Sequence, residues 1–103
     1  VSDKYILDSE GVPILEPDLM IWAMWFEKAN RVVKQETIGP SKVSTIFLGL
    51  DHNYLPDGEP IFWETMVFGG KLDGHTDRCP GFKADALEMH ERVAGKVRKA
   101  QGL

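Results

Sequence analysis

The chain has 103 residues, 43% of them hydrophobic and 27% charged, which excludes a disordered chain and leaves room for one modest core rather than two ordinary domains. Sixteen acidic residues against twelve basic ones give a formal charge of -4, so binding to nucleic acid is not expected. The one cysteine, Cys79, excludes an internal disulfide and a multi-cysteine metal cluster, and no apolar run approaches the roughly 20 residues of a membrane span.

In chain order, Lys4 to Leu7 reads as a short strand, Asp8-Ser9-Glu10-Gly11 as a turn, and Val12 to Leu15 as a returning strand. Pro13 lacks a backbone donor, which places that return at an edge. A helix is predicted from about Pro17 to Ala29, with Pro17 in the first turn. Leu19, Trp22, Ala23 and Phe26 form its apolar stripe. Met20, Ile21, Met24 and Trp25 carry apolar surface well round the cylinder, where a surface helix normally keeps a polar half. Two explanations stand: packing on several sides within one subunit, or a contact with another subunit or protein. Met20, Ile21, Met24 and Trp25 are the interface candidates, with Trp25 expected to point away from the stripe.

Three strands follow, at Val32 to Ile38, Lys42 to Leu50 and Ile61 to Phe68. Gly39-Pro40 turns the first into the second, and Pro56-Asp57-Gly58 suits a turn in the longer connection. Both faces of the resulting antiparallel meander carry apolar bulk. Gly69-Gly70 ends the sheet, and Lys71 to Gly81 reads as a polar, turn-rich connection. A last helix is predicted from about Phe82 to Ala100, buried along Ala86, Met89, Val93 and Val97, with His90 beside that stripe. Gly95 weakens it by roughly 1 kcal/mol relative to alanine. Arg92, Lys96, Arg98 and Lys99 suit its C-terminal half, where the helix dipole favours positive charge. The expected fold is therefore a single α+β domain over residues 1–103: an N-terminal hairpin, a helix, a three-stranded antiparallel meander and a C-terminal helix.

His52, Trp63, Glu64 and His90 are the ligand-binding candidates. Histidine can move a proton, and Asp51 beside His52 could fix its tautomer, although a turn or packing role is the simpler account of this pair. Glu64 interrupts an apolar strand. Such a carboxylate faces solvent, pairs with a neighbour such as Ser44, Thr45 or Arg31, or meets a ligand. His90 is either a satisfied histidine at the core edge or one wall of a site shared with His52 and Glu64. His75 reads as loop surface. Cys79 stands near a helix start, where a thiol can be activated, but lacks an adjacent histidine. No metal-binding, phosphate-loop or dinucleotide pattern occurs. No cofactor, metal or catalytic residue is therefore assigned, and a non-enzymatic role is favoured.

The stretches VSTIFLGLDHNY at Val43 to Tyr54 and IFWETMVFGG at Ile61 to Gly70, together with WAMWFE at Trp22 to Glu27, resemble a family of small bacteriophage and prophage proteins. The resemblance implies expression inside a bacterial host and carries no activity. The sequence given shows no signal-peptide pattern, so the cytoplasm is the expected location. The leading expectation is an accessory protein that binds a host or phage macromolecule or forms a homo-oligomer. The alternatives are a small-ligand or nucleotide binder with acid-base chemistry, and a minor virion component.

Overall fold

A computed structural model describes residues 3–53, 55 and 58–103. Strands β1 (Tyr5–Leu7) and β2 (Pro13–Leu15) form an antiparallel hairpin. Asp8 closes its turn, the carboxylate accepting from the backbone N–H groups of Glu10 at 2.8 Å and Val12 at 2.9 Å. Helix α1 spans Leu19–Lys28. It starts two residues later than the sequence suggested, because Asp18 is extended and caps it, accepting from the N–H groups of Met20 and Ile21. Strands β3 (Val32–Ile38), β4 (Ser41–Phe47), β5 (Ile61–Phe68) and β6 (Thr76–Pro80) then form an antiparallel sheet in that order. Helix α2 (Lys83–Ala100) lies across it.

The meander thus has four strands, not three. Strand β6 lies within the segment expected to be a loop. Its sequence, TDRCP, has neither an apolar alternation nor a β-branched run, so local pattern does not reveal it. It is recruited by pairing along β5, with Glu64 opposite Arg78 and Thr65 opposite Asp77. As an edge strand it tolerates both the charges and Pro80. The Pro56-Asp57 part of the predicted turn lies outside the described residues.

Alternation along β4 and β5 turns Val43, Thr45, Phe47, Trp63, Thr65 and Val67 toward α2, and all six are fully buried. Two clusters result. Val43 and Val67 pack with Val93, Ala94 and Val97 of α2, and Phe47 and Trp63 pack with Ala86 and Met89. A bulge at Phe62 puts an extra residue in β5 relative to β6 and brings Phe62 into the second, aromatic cluster. There Tyr5 of the hairpin meets it edge-on at 4.8 Å between ring centroids.

The buried stripe of α2 is the expected one, with His90 and Ala94 added. Gly95 lies on its exposed side, and a methyl group there would meet nothing within 4 Å. The glycine is not a packing device. Gly95→Ala is expected to add roughly 1 kcal/mol of stability, read as a rise in Tm of about 4–8 °C. A fall in Tm would show that the helix surface has a contact partner at this point.

Candidate functional site

The four ligand-binding candidates do not converge. Trp63 is enclosed between the sheet and α2, and its indole N–H donates to the Gly81 carbonyl at 2.9 Å, so no ring face is left for a ligand. Glu64 is on the opposite face of the same strand. It accepts from Arg78 Nε at 2.8 Å, and only 12% of its side chain is exposed. Of its readings the ion pair is the one formed. The partner is Arg78 rather than Ser44, Thr45 or Arg31, because β6 was absent from the expectation. Arg31 instead donates to the Phe47 carbonyl at 2.9 Å and lies 3.9 Å over the Phe26 ring. His52 bonds through Nδ1 to the Leu50 carbonyl. Asp51 closes the loop, accepting from the N–H groups of Asn53 and Ile61. The three clefts beside Phe62, Leu87 and Cys79 are lined by other residues than His52, Trp63, Glu64 and His90.

His90 belongs to a different constellation. Its Nδ1 lies 2.7 Å from Thr45 Oγ1, which lies 2.6 Å from Thr65 Oγ1. Its Nε2 lies 2.9 Å from Glu36 Oε1, and Arg98 donates to Glu36 Oε2 at 3.0 Å. A continuous polar chain therefore runs from β5 through β4 to α2, across to β3 and back to α2. Hydroxyl, imidazole and carboxylate stand in the order of a nucleophile–base–orienter triad. Reaction would need a substrate at the hydroxyl, but Thr45, Thr65 and His90 are all fully buried. The chain instead satisfies buried polar groups and fixes the rotation of α2 on the sheet. His90 was expected to have one bonded nitrogen at the core edge; it has two, well inside. Thr45 and Glu36 were the missed partners. The signal was strand parity, since Glu36 pairs with Val43 and so shares the covered face with Thr45.

Glu36, His90 and Glu91 hold their ligating atoms within 4.8 Å of one another, a set of types that can bind a divalent cation. Both carboxylates already hold a cation. Arg98 is on Glu36, and Lys34 Nζ lies 2.6 Å from Glu91 Oε1. The latter hydrogen bond holds the Lys34 ammonium above its ordinary pKa and the Glu91 carboxyl below its own. A metal would have to displace both side chains, and the group is an ion-pair network across β3 and α2.

Cys79 lies in β6 opposite Trp63 rather than at a helix start. Burial, reinforced by the nearby Asp85 carboxylate, pushes its thiol up. That opposes the activation a helix terminus would give. It borders a shallow cleft of about 380 Å³ lined also by Glu59, Phe82, Asp85 and Arg92. His75 precedes β6, half-buried, with Nε2 3.4 Å from Asp77 Oδ1.

Helix α1 is the feature whose exposure demands explanation. Not one of its ten residues is buried. Trp22, Ala23, Trp25 and Phe26 are half-buried on the side that meets the rest of the chain. The Trp22 indole N–H forks between the Tyr5 carbonyl at 3.2 Å and the Gly49 carbonyl at 3.0 Å. Gly49 has φ +79, and a Cβ there would lie 3.0 Å from the Phe26 ring, so the close approach of α1 depends on this glycine. Trp25 was expected to point outward. It turns inward and meets Phe47 edge-on at 5.8 Å, taking the inward place that Leu19 was predicted to hold. The outer face carries Leu19, Met20, Ile21 and Met24, of which Met20 is 68% and Met24 57% exposed. Ile14 and Leu15 of β2 are exposed as well. Three of the four interface candidates are therefore on the open face. No helix among the described residues is long and apolar enough to cross a membrane. Comparison with known protein families, curated proteins and solved structures finds no match to this chain.

Proposed function

We propose that this chain is a non-catalytic accessory protein that binds another protein surface through the outer face of α1. The observation that carries the reading is the exposure of Leu19, Met20, Ile21 and Met24 on a helix with no buried residue. A run of large apolar side chains left in water is costly, and burying each fully is worth about 1.5–3 kcal/mol. The full burial of Thr45, Thr65 and His90 supports a role without catalysis. The scattering of His52, Trp63, Glu64 and His90 removes the composite ligand site. We further propose that the chain is related to small bacteriophage and prophage proteins and plays this role in the cytoplasm of a bacterial host.

A photoreactive side chain placed at Met24 in cells expressing the chain should yield a cross-linked product of discrete mass. The same group at the exposed Lys71, beyond the far end of β5, should not. Equal products from both positions, or none from Met24, would count against α1 as the binding face.

A further inference from the structure

We infer that His90 is a proton-sensitive latch between α2 and the sheet, closed while its imidazole carries one proton and opened by a second. Counting hydrogen atoms against acceptors leads there. Glu36 accepts on both carboxylate oxygens, from Arg98 on Oε2 and from His90 Nε2 on Oε1, so the ring proton is on Nε2. Nδ1 faces Thr45 Oγ1, which in turn faces Thr65 Oγ1. With Nδ1 bare, Thr65 donates to Thr45 and Thr45 donates to Nδ1. Two hydroxyl hydrogens then fill two hydrogen bonds with nothing left over. A second proton turns Nδ1 from acceptor to donor and reverses both hydroxyls. The Thr65 hydrogen is then stranded, since Thr65 Oγ1 has no other hydrogen-bond partner among the described residues. Thr45, Thr65 and His90 are all fully buried, so bulk water does not accept it.

The charges around the ring are already matched. Glu36 of β3 is held by Arg98 at 3.0 Å, and Glu91, next to His90 on α2, by Lys34 of β3 at 2.6 Å. Asp77 of β6, opposite Thr65, has Lys96 of α2 at 3.9 Å and the His75 ring at 3.4 Å. Strands β4 and β5 turn the hydroxyls of Thr45 and Thr65 toward His90, and their charged residues, Lys42 and Glu64, lie on the opposite face. A second positive charge on the imidazole would therefore meet carboxylates that each have a cation of their own.

The dependence of stability on pH tests the latch in the whole chain. In His90→Gln the side-chain amide N–H can donate to Glu36 and the carbonyl can accept from Thr45, with no proton to gain. On acidification the unfolded wild type takes a second proton on His90 freely, whereas the folded chain must break its hydroxyl relay to do so. Acid therefore favours unfolding. Between about pH 8 and about pH 5.5 the wild-type unfolding constant should rise several-fold, up to about tenfold, relative to that of His90→Gln. Groups that titrate in both proteins cancel in this ratio. A ratio that stays constant, or falls with falling pH, overturns the inference. Should His90→Gln not fold, nitrogen-15 NMR of the wild-type ring decides. A bare Nδ1 beside a protonated Nε2 throughout the folded range supports the latch. A folded chain whose Nδ1 carries a proton while α2 stays docked overturns it.

Discussion

Trp63→Ala is expected to lower the unfolding free energy by about 3–5 kcal/mol, the range for removing a large aromatic side chain from a packed core. The indole is fully buried, with its ring centroid 5.0 Å from Phe47 and 6.4 Å from Phe62. Its N–H also supplies a hydrogen bond to the Gly81 carbonyl, just before α2 begins. The substitution therefore opens a cavity beneath α2 and unpins the start of that helix together. Since domains of this size are stable by only about 5–15 kcal/mol, much of the margin would go. Urea unfolding followed by circular dichroism measures the loss. Trp63→Phe, which keeps most of the ring contact and forfeits the hydrogen bond, should fall between the two. Equal midpoints for wild type and Trp63→Ala would mean that the aromatic cluster does not hold the helix down.

His90→Ala should be comparably damaging, at about 3–5 kcal/mol, through a different term. Here the principal cost is the abandonment of two polar partners, the fully buried Thr45 and the half-buried Glu36. Thr45 Oγ1 keeps only Thr65, and Glu36 keeps only Arg98. Thr45→Val alone should cost about 1–3 kcal/mol, because it leaves His90 Nδ1 enclosed without a partner. A chain of this kind is not additive. In the His90→Leu, Thr45→Val cycle the double variant should be more stable than the two single losses together imply, by about 1–2 kcal/mol. Strict additivity in urea unfolding would show that imidazole and hydroxyl are not energetically linked.

The α+β order was legible because its signals are local. Alternation placed β3 and β5 at their observed bounds, and the spacing of Ala86, Met89, Val93 and Val97 marked the buried side of α2. The missed features depend on partners distant in sequence. Nothing in TDRCP says strand until Ile61–Phe68 lies alongside it. Glu36 reads as a surface acid until strand register sets it on the covered face beside His90, 54 residues away. Trp25 shows the limit of helical periodicity. A helix with apolar residues all round has no unique inward side, and the choice fell to Phe47, which offers an edge-on partner to Trp25 and none to Leu19. Met20, Ile21 and Met24 could be read as outward candidates because apolar residues run further round the helix than one packed side can hide.

The composition that hid β6 also governs how this molecule can meet its neighbours. A sheet ending in an open ribbon invites another chain to add a rung, and repeated addition makes fibres. Here one rim ends in Asp77, Arg78 and Pro80, and the other is distorted where Val33 breaks the register between Val32 and Lys34. Both rims are poor templates for growth by ribbon addition. Endless stacking through the sheet is thereby disfavoured at both of its edges.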